Sequence, residues 1–142
     1  MIRTLAVLAL LLATPVLAAD QAAPQYQTLL TPLLKSGADV LGTPLAYPAG
    51  TANVTAAIVT IPPGVETGWH KHEVPLFAHV LEGELTVDYG SKGKRTYRAG
   101  DSVLEAVGWP HDGTNTGTVP VKLLAVYMGS DSAPNTVSLP AP

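Results

Sequence analysis

The sequence GVETGWHKH, residues 64–72, ends in two histidines separated by a single lysine. Side chains alternate between the two faces of a β-strand, so His70 and His72 share a face if this segment is extended. A third histidine, His111, follows within the sequence GWPHDGTN of residues 108–115. Three imidazoles without a cysteine nearby indicate a site for one divalent metal ion, such as Zn, Fe, Mn, Ni or Cu.

Short strands separated by turns account for most of the chain on either side of these histidines. Apolar and polar residues alternate in several segments, and turn residues such as Pro-Pro-Gly at 62–64 separate them. This pattern predicts an all-β sandwich or barrel at 51–129. We expect strands at 54–61, 68–72, 76–81, 84–89, 95–98, 102–107 and 121–128.

The ends of the chain read differently. The sequence predicts a Sec-type signal peptide at 1–18, cleaved near Ala18. It has a positive charge at Arg3, an apolar run and a cleavage site of small residues that ends at Ala18. We therefore expect a periplasmic or secreted protein with no stable membrane anchor after cleavage. Residues 19–50 read as a lead-in and a short N-terminal arm, and residues 130–142 as a flexible tail.

Composition excludes two classes of function. The formal net charge is −3 and there is no run of basic residues, so the sequence shows no basic patch of the kind that binds nucleic acid. Cysteine is absent, which excludes disulfide bonds and thiolate chemistry. Function must therefore depend on histidine, carboxylate, hydroxyl, amide or aromatic groups.

The glycines and histidines of both stretches resemble the two motifs of the cupins. The matching positions are Gly64, His70, His72 and Gly83 in the first motif and Gly100, Gly108, His111 and Asn115 in the second. The resemblance implies a jelly-roll barrel, also called a double-stranded β-helix. It also implies one divalent metal ion bound by histidines, a small-molecule ligand and, since cupins commonly pair, a homodimer.

The chain departs from the cupin pattern at two positions. Ala106 replaces a turn proline, and Leu76 stands where the resemblance implies a glutamate ligand. Oxalate-oxidase-like and germin-like manganese sites use that glutamate. This chain keeps the histidines alone, so we predict a site of three imidazoles: His70, His72 and His111.

Four further residues are candidates for the pocket: Glu66, Leu76, Trp109 and Asn115. Glu66 shares a face with the histidines if the strand runs regularly through Gly68, and Trp109 is a candidate for the pocket mouth. Asn115 more often fixes the loop after His111 than touches a ligand. Other carboxylates, including Glu105, are expected to be exposed.

Neutral imidazoles would leave the full +2 charge on a bound metal ion, which favours a small anionic ligand. This supports a metal-dependent dioxygenase or related oxidoreductase with open coordination positions. One alternative is a non-catalytic cupin that binds a small anionic ligand or stores a metal, and another is an interaction protein that binds no metal. Zinc is the favoured ion, because an exported site fills where cytoplasmic supply does not override intrinsic affinity.

Overall fold

The computed structural model describes residues 25–142. The predicted signal peptide at 1–18 lies outside these residues. The chain divides into two compact units between Thr31 and Pro32. In the first, the described residues hold one 3-10 turn, Tyr26–Leu29. No helix within 25–142 is long and apolar enough to cross a membrane.

The second unit is built from β-strands, which confirms the all-β prediction. All seven predicted strands are present, with ends that differ by up to three residues. The strands found in the described part of the chain are β1 (Ala52–Ile61), β2 (His70–Lys71), β3 (Leu76–Glu82), β4 (Glu84–Asp88), β5 (Lys94–Arg98), β6 (Ser102–Leu104), β7 (Asp112–Asn115), β8 (Val121–Ser130) and β9 (Val137–Ser138).

The strands form three antiparallel sheets. A four-stranded sheet has the order β1-β8-β3-β6, a three-stranded sheet the order β5-β4-β7, and β2 pairs with β9. The longest ladder joins β1 to β8 from Ala52↔Ser130 to Ile61↔Val121. This arrangement agrees with the predicted jelly roll.

The two larger sheets share one apolar core. Along β4, Leu85 and Val87 are buried, while the alternate residues Glu84, Thr86 and Asp88 are only partly buried. Along β8, Val121 and Leu123 are buried in the same alternating way. The side chains of both sheets meet in one buried cluster, as the period of two requires.

Two strands were not predicted. The strand β7 carries the sequence DGTN, whose residues are typical of turns, but it pairs along its length with β4. The segment 130–142, predicted as a flexible tail, instead contributes β9, which pairs with β2. A two-residue strand has no detectable period, and its position depends on a partner far away in the sequence.

Gly83 turns the chain from β3 in one sheet to β4 in the other. Its φ is 84°, and a Cβ atom there would lie 2.8 Å from the Pro120 carbonyl oxygen and 2.9 Å from the Val121 Cα. We expect Gly83→Ala to lower the free energy of unfolding by about 2–4 kcal/mol, from backbone strain and overpacking together. Urea denaturation measures this loss.

Gly64 offers a matched control for Gly83. Its φ is 74°, but a Cβ atom there would meet nothing within 4 Å. Gly64→Ala should therefore lose only the backbone term, about 1–2 kcal/mol. Equal losses in the two variants would mean that the contacts of Gly83 with β8 do not restrict this corner.

Candidate metal centre

The three histidines predicted as ligands lie together. One ring nitrogen from each of His70, His72 and His111 lies within 4.8 Å of the other two. The ring centroids of His70 and His111 are 4.4 Å apart, and each lies 5.0 Å from that of His72. His72 and His111 are almost fully buried, and His70 is half-buried. This group can hold a metal ion.

Backbone pairing brings the histidines together from distant parts of the chain. The amide of His70 donates to the carbonyl of His111, and the amide of His111 donates back to His70, both at 2.9 Å. The carbonyl of His72 accepts from the amide of Gly108 at 2.7 Å. The loop before His111 is thus fixed against both sides of the His-Lys-His segment.

Each imidazole has its Nδ1 atom against a backbone carbonyl. The distances are 2.7 Å from His70 to Gly68, 3.1 Å from His72 to Asn135, and 2.8 Å from His111 to Trp109. A carbonyl oxygen only accepts hydrogen bonds, so each Nδ1 carries the proton. The unprotonated Nε2 atom of each ring then has its lone pair free for a metal ion.

The surroundings of His72 and His111 suit neutral ligands. Burial, followed by the charge of His111, lowers the pKa of His72 to about 3. Burial also lowers the pKa of His111. Among the buried side-chain nitrogen and oxygen atoms of residues 25–142, only the Nε2 of His111 has no hydrogen-bond partner. An orphaned ring nitrogen that points toward two other imidazoles fits a metal ion.

A cavity of about 260 Å³ opens beside the histidines. Its size lies just below the usual range for ligand pockets, about 300–1,000 Å³, so a ligand must be small. The cavity runs between the two larger sheets, and most of its wall is apolar. The apolar lining residues are Val59, Ile61, Leu76, Ala78, Val80, Leu85, Val87, Val103, Leu123 and Ala125.

Glu105 places a carboxylate in this cavity and was missed from the sequence. Its side chain is 7% exposed, where an exposed carboxylate was expected. Glu105 directly follows β6, and its amide donates to the carbonyl of Leu76 at 2.9 Å, which places it beside the position where the resemblance to cupins implies a glutamate. The group of side chains that could hold a metal ion consists of the three histidines and does not include the Glu105 carboxylate.

Glu105 is held within a hydrogen-bonded group. Its Oε1 accepts from the amide of Ala106 at 2.7 Å. Burial and then the Glu105 carboxylate raise the pKa of Tyr89, so the hydroxyl of this residue remains protonated. With a divalent ion on the histidines, an ionised Glu105 would reduce the charge of the cavity from +2 to +1.

Three of the four further candidates do not line the cavity. Glu66 is exposed, because Gly68, with a φ of 77°, interrupts the regular strand on which the prediction depended. The ring of Trp109 packs against the core, and its Nε1 donates to the Tyr89 carbonyl at 2.9 Å. Trp109 contacts the site through its carbonyl alone. Leu76, by contrast, does line the cavity.

Asn115 stabilises a loop and does not line the cavity. Its Nδ2 donates to the carbonyls of Ile61 and Val119, at 2.7 and 2.9 Å, and its Oδ1 accepts from the amide of Gly117. The fourth histidine, His79, lies outside the group of three. Its Nδ1 contacts the hydroxyl of Ser102 at 2.8 Å.

Solved structures share this fold. The chain is similar to the formate complex of oxalate decarboxylase from Lactobacillus farciminis, with 26% identity and a TM-score of 0.53, over 64% of this chain and 27% of that one. It is also similar to a chain from the structures of the DMSP lyases RdDddP and RnDddQII, with 19% identity and a TM-score of 0.53, over 61% of this chain and 44% of that one.

A Bacillus halodurans protein, BH2720, shows 24% identity and a TM-score of 0.51, over 60% of this chain and 69% of that one. The chain thus spans about a quarter of the oxalate decarboxylase and less than half of the DMSP lyase chain.

No curated protein matches the sequence. The family model of the cupin domain matches residues 57–127, which is half of the chain and includes all three histidines. The chain belongs to the cupin family.

Proposed function

We propose that this chain is an exported cupin that holds one divalent metal ion on His70, His72 and His111. The observation that carries the proposal is the convergence of three imidazoles whose Nδ1 protons are already engaged by carbonyls. The unpartnered Nε2 of His111 supports it further. Three protein ligands leave coordination positions open, as in catalytic metal sites. The export depends on the predicted signal peptide.

We infer that the site acts on a small molecule that is mostly apolar and carries an anionic oxygen. The apolar wall of the cavity favours a ligand that is mostly apolar. The side of the histidine group that faces the cavity is where the anionic oxygen of the ligand would bind the metal ion. A bound ion would polarise an oxygen or activate dioxygen. One similar structure, that of an oxalate decarboxylase, is a complex with formate, a small carboxylate. The best-supported activity is a metal-dependent dioxygenase or a related oxidoreductase.

Glu105 extends this proposal. Its carboxylate faces the same cavity as the histidines and is protected from water. A carboxylate there would accept a hydrogen bond from a ligand hydroxyl and orient the ligand against the metal ion. A ligand with one negative charge would then neutralise the remaining charge of +1.

Metal analysis tests the binding step. We expect protein purified from its exported location to contain about one metal ion per chain, with zinc the main element. The double variant His70→Ala, His72→Ala should contain less than about a tenth of this amount, because one imidazole alone holds a divalent ion weakly. His79→Ala is the matched control, since His79 lies outside the group, and it should keep its metal.

Oxygen uptake tests the catalytic step. Zinc has no redox chemistry, so this test uses protein loaded with Fe, Mn or Cu. A panel of enols, phenols and thiols should include at least one compound that this protein oxidises, and His72→Ala should abolish that activity. Metal binding without turnover of any compound would favour the non-catalytic alternative, a cupin that binds a ligand or stores a metal. The homodimer stays a prediction, and the mass in solution is its test.

A further inference from the structure

The C-terminal segment 133–139, here called the strap, lies across the histidine site. Its strand β9 pairs with β2, with Ser138 opposite His70 and Val137 opposite Lys71. The amide of Leu139 extends this pairing by donating to the carbonyl of Trp69 at 2.8 Å. The strap therefore runs beside the segment that carries two of the three histidines.

The strap supplies the hydrogen-bond acceptor for one histidine only. His70 and His111 each donate to a carbonyl two residues earlier in their own loops. His72 instead reaches the Asn135 carbonyl, 63 residues away, and the Thr136 hydroxyl, both at 3.1 Å. The orientation and the protonated nitrogen of His72 thus depend on the strap, whereas the rings of His70 and His111 are oriented by their own loops.

The strap also forms part of the cavity wall. Thr136 and Ser138 line the cavity beside the three histidines, which adds two hydroxyl groups to a mostly apolar wall. Asn135 anchors this part of the strap, since its Nδ2 donates to the hydroxyl of Thr55 on β1 at 3.1 Å. A Cβ atom on Gly129 would lie 2.6 Å from the Oδ1 of Asn135, so the glycine leaves room for the Asn135 side chain in this position.

We propose that the strap is a positioning element of the metal site and that its docking is coupled to metal binding. This inference rests on the proposed function, because it assigns His72 as a ligand. The docked strap fixes the Nδ1 proton of His72 and thereby presents Nε2 to the ion. By linkage, metal binding stabilises the docked strap to the same extent. The contacts that hold it are few, so the undocked state is accessible by local opening.

The test removes one strap hydrogen bond and leaves the histidines intact. Leu139→Pro deletes the amide that donates to Trp69. We expect its zinc affinity, measured by competition with a chromophoric chelator, to fall about 10- to 100-fold, as for other changes that free a ligand from its orienting partner. Ala141→Pro, two residues beyond the strap, is the matched control and should bind zinc like the wild type.

Two spectroscopic measurements separate positioning from a general loss of structure. In zinc-loaded wild type, nuclear magnetic resonance should show slowly exchanging Nδ1 protons on all three histidines. In Leu139→Pro the signal of His72 should be lost while those of His70 and His111 remain. In the wild type, zinc should also slow the exchange of the Leu139 amide by about tenfold or more, and this measurement needs no variant.

The outcomes distinguish the two proposals. Failure of the wild type to bind zinc would overturn the proposed function and, with it, the assignment of His72 that the inference requires. Zinc binding by the wild type, with unchanged affinity in Leu139→Pro and unchanged exchange at Leu139, would overturn the inference alone. Loss of all three histidine signals in Leu139→Pro would also overturn it, since a positioning role is limited to His72.

Discussion

Acidification of the metal-free protein from pH 7 to pH 4.5 should lower its free energy of unfolding by about 2.5 kcal/mol through His72 alone. Burial lowers the pKa of this residue from 6.5 to about 3 in the folded protein. Between these values the unfolded chain binds the proton and the folded chain does not, so stability rises with pH. The contribution is complete above pH 6.5 and is lost progressively as the pH falls toward 3.

A single substitution isolates this effect from the other titrating groups. In His72→Gln the side chain remains polar but cannot titrate. The difference in unfolding free energy between pH 7 and pH 4.5, measured by urea denaturation in the presence of a metal chelator, should then be about 2.5 kcal/mol smaller than in the wild type. The lowered pKa of His111 acts in the same direction in both proteins. Equal pH dependence in wild type and variant would contradict the buried, neutral state of His72.

The fold could be predicted from the sequence because its signals are local. The alternation along β4 is visible in the residues from Glu84 to Asp88, and the turn between the sheets has its glycine at position 83. The histidines were found for the same reason, since a separation of one residue places two side chains on one face. The spacing of glycines around them identified the family.

Glu105 could not be found by the same reasoning. Apolar residues flank Glu105 at both odd and even positions, so alternation does not predict which face of the sheet its side chain is on. These residues are Val103, Leu104, Ala106 and Val107. A carboxylate is exposed by default. Its burial depends on contacts made by folding: the amide of Ala106 and the neighbouring Tyr89.

The strap was missed because its role depends on a long-range contact. Its composition of serine, asparagine and proline is typical of a loose terminus. What orders it is the pairing of two residues with β2 and a hydrogen bond to a histidine 63 residues away. Neither contact leaves a periodic signal in the sequence, so only the folded chain reveals that residues 133–139 belong to the site.

Zinc binding at pH 5.5 should release fewer than about two protons per ion. Three histidines with the ordinary pKa of 6.5 would together release about 2.7 protons at this pH, because each would be about 90% protonated before the metal binds. Because its pKa is lowered to about 3, His72 would release almost no proton. The lowered pKa of His111 also reduces the number of protons that His111 releases. The site should accordingly hold zinc at a lower pH than a site of three exposed imidazoles.

Calorimetric titration in buffers of different ionisation enthalpy counts the released protons. His79→Ala serves as the control, since His79 lies outside the group and its removal should leave the number unchanged. A value near 2.7 for the wild type would mean that His72 titrates like an imidazole in water. That result would contradict the burial of His72, because a protonated ring in a dry pocket would carry an uncompensated charge.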